Sequence, residues 1–305
     1  MNRRAFIALA GLTSASYAVP SPLRAATATQ EPPGSFDFVF FTDTHIEPEL
    51  AAPEGCAMAF RKIRSLNPAF AIQGGDHVFD AAGVPLARAT NLFDLYARTE
   101  QTLGMTIHHT IGNHDVFRLA AANGQSDPEY GKRMYEDRFG RTYYSFDHRG
   151  YHFIILDSIQ ITATDSYEGR IDAAQLHWLA QDLAALSPGA PVAVITHVPL
   201  VTGAVSYGPS RPDKIGKISI VNAWEVLPLL EQRNILGVFQ GHTHINEVVT
   251  FRGISYISCG AVCGNWWHGP RWGTPEGFTV VLMRDGKCTW RYETYGFQSI
   301  DPRVS

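Results

Sequence analysis

The chain has 305 residues, 45% hydrophobic, 18% charged and 11% aromatic, and a formal charge of −4. That length allows one large α/β domain or two small ones with a substantial core, and the apolar and aromatic content excludes intrinsic disorder. The acidic balance is the opposite of the basic footprint of a nucleic-acid binder.

The first residues, Met1-Asn2-Arg3-Arg4-Ala5-Phe6-Ile7-Ala8-Leu9-Ala10-Gly11-Leu12, join a positive end to a short apolar run, and the small-residue stretch Ala25-Ala26-Thr27-Ala28 follows. This layout predicts a secretory signal over residues 1–28; the run is too short and too broken by glycine and serine to span a membrane. The paired arginines before Ala5-Phe6 resemble a twin-arginine signal, used by proteins exported already folded, with Asn2 and Ala8 departing from its usual flanks. The expectation is a periplasmic or secreted protein whose mature domain covers 29–305 and carries −7, because Arg3, Arg4 and Arg24 leave with the signal. Cys56, Cys259, Cys263 and Cys288 admit three pairings if all are bridged. Cys259 and Cys263 fit buried small side chains as well as they fit a disulfide.

Residues 36–41, Phe-Asp-Phe-Val-Phe-Phe, read as a buried first strand that ends in Thr42-Asp43-Thr44-His45. Helical spacing over 56–66 precedes a second strand over 68–72, which closes in Gln73-Gly74-Gly75-Asp76. A helix over 86–103 leads to the short run Met105-Thr106-Ile107 and then to Gly112-Asn113-His114-Asp115. Strand, helix, strand, helix, strand is the pattern of a parallel sheet with helices over it. The β-rich runs of 141–157 flank Asp147-His148-Arg149-Gly150 and predict a hairpin, hence a second or a mixed sheet. Asp172, with Gln175 three residues on, caps a helix carrying Leu176, Leu179, Leu183 and Leu186. The strand 191–195 ends at Thr196-His197, a loop spans 202–218, a helix covers 223–232, and the strand 235–240 closes in Gly241-His242-Thr243-His244. The tail alternates like antiparallel strands over 247–251, 254–259, 278–283 and 287–292, around a loop dense in tryptophan and glycine.

Five polar clusters therefore end five apolar runs: Asp43/His45, Asp76, Asn113/His114, His197 and His242/His244. In open α/β sheets the carboxyl rim of the strands is where ligands bind. Apart from His114, the clusters offer two carboxylates, one amide oxygen and four imidazoles, a set that suits two metal ions if one carboxylate bridges them. His114 is then free to protonate a leaving alkoxide, a step suited to an imidazole.

The ordered blocks Asp43-Thr44-His45, Gly75-Asp76, Gly112-Asn113-His114-Asp115, His197 and Gly241-His242-Thr243-His244 resemble the signature of the calcineurin-like metallophosphoesterases. The resemblance implies a four-layer α/β/β/α sandwich with two mixed central sheets. It assigns Asp43, His45 and His244 to one ion and Asn113, His197 and His242 to the other, with Asp76 bridging and His114 as the acid or phosphate-orienting residue. It also implies a phosphatase or phosphodiesterase that cleaves phosphate mono- or diesters of small molecules or proteins by attack of a metal-bound hydroxide. The donor set accepts manganese, iron or zinc. In purple acid phosphatases a tyrosine ligand lies three residues after the bridging aspartate; Phe79 stands there in this chain, which disfavours an iron-tyrosinate enzyme. The Trp-Trp-His-Gly-Pro and Gly-Thr-Pro-Glu-Gly pieces within 266–277 resemble exported bacterial members.

Around this set, His77 reads as a donor to the bridge region or an ordinary histidine, and Asp115 as an orienting partner or a cap. His108, His109, His148, His152 and His177 read as ordinary residues. Trp266, Trp267 and Trp272 wall a substrate pocket or pack as a lid, and Arg211, Lys214 and Lys217 steer an anion or are solvated. The competing function is a metal-binding scaffold of the same fold without catalysis. A nuclease shares the site chemistry but conflicts with the acidic charge.

Overall fold

A computed structural model of the chain describes residues 33–119, 124–207 and 212–303, without the side chains of 212–214. The expected signal over 1–28 and Arg211 lie outside the described residues, as does the Lys214 side chain. No helix among the described residues is long and apolar enough to cross a membrane.

Among the described residues, thirteen strands and six α-helices follow in the order β1 (Phe36–Phe41), α1 (Ala52–Ser65), β2 (Phe70–Gln73), α2 (Leu86–Glu100), β3 (Ile107–His109), α3 (Arg133–Phe139), β4 (Tyr144–His148), β5 (Tyr151–Leu156), β6 (Ile159–Ile161), β7 (Tyr167–Gly169), α4 (Ala173–Ala185), β8 (Pro191–Thr196), α5 (Ala204–Tyr207), α6 (Ala223–Glu231), β9 (Asn234–Gln240), β10 (Glu247–Phe251), β11 (Ile254–Ser258), β12 (Gly277–Arg284) and β13 (Lys287–Thr294). They form a five-stranded sheet, β13-β12-β1-β2-β3, a six-stranded sheet, β10-β11-β9-β8-β5-β4, and the small ribbon β6-β7.

The near-continuous apolar runs of β1, β5 and β8 are buried because each sheet is covered on both faces. Between the sheets, Phe38, Phe40, Phe70 and Ile72 meet Phe153, Ile155, Ile195 and Phe239. Phe38 sets its ring edge-on against Phe153 and Phe239, with centroids 5.5 and 5.7 Å away, a geometry that aromatic quadrupoles favour. Outside the first sheet, Phe60 and Ile63 of α1 and Leu92 and Phe93 of α2 pack on Val39 and Phe41. Outside the second, Leu179 and Leu183 of α4 and Val226 and Leu230 of α6 pack on Ile154, Val194 and Val238. Helix, sheet, sheet, helix is the four-layer sandwich expected.

Local signals account for several boundaries. The Asp172 carboxylate accepts the Gln175 N–H at 2.8 Å and starts α4 as its spacing predicts. The Arg252-Gly253 and Asp285-Gly286 pairs have positive φ at both residues, the geometry of two-residue hairpin turns. Three expectations shift. The run at 105–107 becomes a strand two residues later, because Ala71 N already bonds Thr106 O and pairing runs on to His109. The loop 202–218 contains α5 and a 3₁₀ segment, Pro212–Lys217. The four tail strands do not stay together: β10 and β11 join the six-stranded sheet while β12 and β13 extend the five-stranded one beside β1. All four cysteines are free, with Cys56, Cys259 and Cys263 buried.

Candidate metal centre

Asp43 and His45 follow β1, Asp76 follows β2 and Asn113 follows β3, all from the first sheet; His197 follows β8 and His242 and His244 follow β9, from the second. The parallel strands of both sheets thus end at one rim. Asp43, His45, Asp76, His242 and His244 have φ between 37° and 71°, a left-handed backbone that costs a non-glycine residue of order 1–3 kcal/mol. Tertiary contacts hold them there. Asp43 N bonds Gly75 O, His45 N bonds Asp76 O and the His242 N–H donates to Asp43 Oδ2. A Cβ at Gly112 would stand 2.2 Å from both the backbone nitrogen and Oδ1 of Asp76, which is why that block requires glycine.

The histidines share one arrangement. His197 Nδ1–H donates to Gly74 O at 2.8 Å, His244 Nδ1–H to Gly264 O at 2.6 Å and His242 Nε2–H to Lys217 O at 2.7 Å; His45 Nδ1 stands 3.4 Å from Phe79 O. A ring nitrogen committed to a carbonyl turns the opposite nitrogen inward as the one that would meet a metal, once any proton on it has been displaced. Those inward nitrogens point at carboxylates. His197 Nε2 is 3.2 Å and His45 Nε2 is 3.4 Å from Asp76 Oδ2, while His244 Nε2 is 3.2 Å from both Asp43 Oδ1 and His45 Nε2. Asp43 Oδ1, Asn113 Oδ1 and His197 Nε2 are buried with no hydrogen-bond partner.

Buried acceptors turned toward one another repel unless a proton or a metal ion lies among them. Two donors each ~2.1 Å from one ion, at about 90–110°, lie ~3.0–3.4 Å apart, and the spacings here match that. The donors fall into two groups around Asp76, one with His45 and the other with His197 and His242, and His114 lies within reach of the first. The residues present fit a metal centre. Cys263 also lies close, but its Sγ is 3.8 Å from His244 Nδ1, the nitrogen facing away from the carboxylates. Burial pushes its thiol well up, so it packs behind the ligand group and does not belong to it.

Electrostatics agree. Burial alone would raise the Asp43 and Asp76 carboxyls, yet the neighbouring His244 and His197 hold both well below the usual carboxylate range. His197 is buried as well, which lowers it, but Asp76 dominates and brings it up to about 9. His242 is pushed down to about 4 by burial and by His197.

The sequence from 36 to 246 matches the family model described as calcineurin-like phosphoesterase. The chain belongs to that family. Solved structures share the fold: a dimetal phosphatase of Danio rerio aligns with a TM-score of 0.58 at 16% identity, over 87% of this chain and all 100% of its own. A purple acid phosphatase from yellow lupin (Lupinus luteus) seeds aligns at 0.56 and 13% identity, over 88% of this chain and 53% of its own. GAP50, described as the anchor in the inner membrane complex of Plasmodium, aligns at 0.53 and 16% identity, over 89% of each chain. No curated protein matches the sequence.

The sequence-derived set of Asp43, His45, Asp76, Asn113, His114, His197, His242 and His244 is brought together at this rim. His77 and Asp115 join it as support: Asp115 accepts the N–H groups of Asp76, His77 and Gly112 and the His77 ring. Asp80 both ties its own loop, through Ala82 N, and stands 3.9 Å from His114 Nδ1. Trp267 is a correction, because it is fully buried and donates its indole N–H to His45 O, while Trp266 and Trp272 line a cavity. Lys217 is another: its ammonium bonds Ser166 and the Tyr167 carbonyl rather than projecting into solvent. Two residues were not singled out from sequence, Tyr167 in the cavity beside His114 and Arg271 in the cavity beside His242. The position of Arg271 in one loop with Trp266, five residues before it, and Trp272, directly after it, was the available signal.

Proposed function

We propose that the chain is a metal-dependent phosphoesterase of this family, hydrolysing a phosphate mono- or diester at the rim shared by the two sheets. The observation that carries it is the set of imidazoles anchored through one ring nitrogen, whose opposite nitrogens face Asp43 and Asp76 in a buried centre. In this reading Asp43, His45 and His244 hold one cation, Asn113, His197 and His242 a second, and Asp76 serves both. Such ions supply Lewis acidity toward phosphoryl oxygens and lower the pKa of bound water.

The protein's own residues supply the rest. His114 has its backbone N–H bonded to Asp76 Oδ1 at 2.8 Å, which fixes its position, and its side chain is 30% exposed. It faces a cavity of about 310 Å³ lined also by Asp80, Asn113 and Tyr167. From there it orients the phosphoryl group and passes a proton to the departing oxygen. A second cavity, of about 170 Å³, opens beside His242. Both cavities border the donor set, the first at Asn113 and His114 and the second at His242.

The fold is shared with a protein described as an anchor, so what supports catalysis over a silent scaffold is the complete donor set. The test is phosphate release from a panel of monoesters and diesters by protein loaded with manganese, iron or zinc. Turnover that His242→Ala removes supports the reading. Stoichiometric metal uptake with no release from any ester would leave the scaffold reading in its place. The twin-arginine-type signal over 1–28, and with it a periplasmic or secreted location for a domain beginning near 29, belongs to the same proposal. Export of a fused reporter that is lost when Arg3 and Arg4 become lysines tests it.

A further inference from the structure

Trp266, Arg271 and Trp272 form a stack in the loop before β12. The guanidinium carbon of Arg271 lies 5.2 Å from the centre of the Trp266 ring and 4.4 Å from that of Trp272. Trp266 in turn packs on His244 at 4.7 Å and on His45 at 6.0 Å, so one indole touches both the guanidinium and the donor cluster. All three residues of the stack line the cavity that opens at His242.

The stack fixes Arg271 without neutralising it. Its backbone is pinned by a reciprocal pair of bonds with Thr274, and one terminal N–H donates to Asn265 Oδ1 at 3.2 Å. Its Nε is buried with no partner, and among the described residues no carboxylate forms an ion pair with it. An arginine with a purely structural role satisfies its fork on protein acceptors. This one is half-withdrawn from water, cannot shed its proton, and presents unused donors beside a phosphoester site. Two indole rings pack against the guanidinium, so part of its rotamer entropy is already lost before a ligand arrives.

We infer that Arg271 is a specificity-determining residue that binds a second anionic group, a carboxylate or a further phosphate, carried by the leaving group of the substrate. The inference rests on the phosphoesterase reading and narrows it to esters of anionic alcohols. The guanidinium fork matches either oxyanion in the same way, so the two sources are separated by experiment.

The test compares 3-carboxyphenyl phosphate and 1,3-phenylene bisphosphate with the neutral 3-carbamoylphenyl phosphate on the metal-loaded protein. At least one anionic ester should exceed the neutral one by about tenfold in kcat/KM, the scale of a charge-assisted hydrogen bond; the better arm identifies the second anion. In Arg271→Gln that ratio should fall to about one, and Arg271→Lys should keep part of it. Calorimetry with phenylphosphonate and 3-carboxyphenylphosphonate gives a readout that needs no turnover: the carboxylated ligand should bind about tenfold more tightly, and only when Arg271 is present. A charged-to-neutral ratio that is unchanged in Arg271→Gln overturns the inference. Absence of turnover of all three esters, with the phosphonate preference intact and dependent on Arg271, would remove the phosphoesterase reading and leave the anion subsite standing.

Discussion

The carboxylate of Asp115 accepts the backbone N–H of Asp76 at 3.0 Å, so the side chain after one strand holds the main chain after its neighbour. The same group also takes the His77 amide at 2.8 Å, the Gly112 amide at 2.9 Å and His77 Nδ1–H at 2.9 Å. Asp76 adopts a left-handed backbone at φ 55°, and these bonds are what over-determine it.

Asp115→Asn keeps the volume and loses one acceptor end. Metal affinity should fall about 10–100-fold, as for other supports behind ligands, with the fold retained. Competition against a chelator measures it. Affinity within twofold of the wild type would show that Asp76 keeps its place unaided.

Asp76→Asn should abolish turnover and lower metal content. It should also lower the melting temperature of the metal-free protein near neutral pH, because Asp76 is the partner that keeps buried His197 protonated and its own carboxyl is held well below the usual range. What the variant should lose is the rise in melting temperature on adding metal. Full activity in Asp76→Asn would end the argument that this carboxylate joins two ions.

Metal uptake should release a proton. His197 holds its proton up to about 9 in the metal-free protein, while His242, at about 4, is already neutral at pH 7. A cation must displace the His197 proton, so apparent affinity should climb by about a decade per pH unit from pH 7 and level off near 9. The sign for folding is the reverse. A histidine raised from 6.5 to about 9 stabilises the metal-free protein fully below 6.5, and that contribution disappears as pH rises through 9. Titration in weakly buffered solution at pH 7 and pH 9.5 checks this, and equal proton release at both would contradict it.

Away from the centre, Glu100 accepts from the Tyr96 hydroxyl at 2.5 Å and stands 3.7 Å from His109, which bonds His77. Burial pushes its carboxyl up from 4.5 to about 7, against the lowering effect of Tyr96. The folded state therefore retains a proton that the unfolded chain gives up, and the associated stability is complete below 4.5 and lost by the time pH passes 7. Glu100→Gln, which stays uncharged, should overtake the wild type across that window by on the order of 1–3 kcal/mol. Urea unfolding at pH 5 and pH 8 gives the comparison; parallel curves at both would show that the carboxyl titrates normally.

Much of the fold was legible because the strands that deliver the site are unambiguous apolar runs, Phe36–Phe41 and Pro191–Thr196 above all, each stopped by glycine or by a polar block. The clusters were readable for the same reason, since a parallel strand can only deliver its next residues at the carboxyl rim. The destination of the tail strands was not, because alternation fixes which face is buried and says nothing about which of two sheets offers an open edge beside β1. Nor was the role of Trp267 visible: its neighbour Trp266 has the same residue type, and only the three-dimensional path of the loop sends one indole into the core under Gly55 and the other into a cavity. The ribbon of Ile159–Ile161 and Tyr167–Gly169 was missed because three residues are too few to establish a period.

The origin of the donors has a mechanical consequence. Asp43, His45, Asp76 and Asn113 hang from one sheet, and His197, His242 and His244 from the other. A cation seated among them would act as a rivet through the seam of the sandwich, and prying its halves apart would require surrendering the ion first. Chelation should then loosen the phenylalanine-lined interior far from the rim, so that solvent exchange at β1 and β8 accelerates together rather than one sheet at a time.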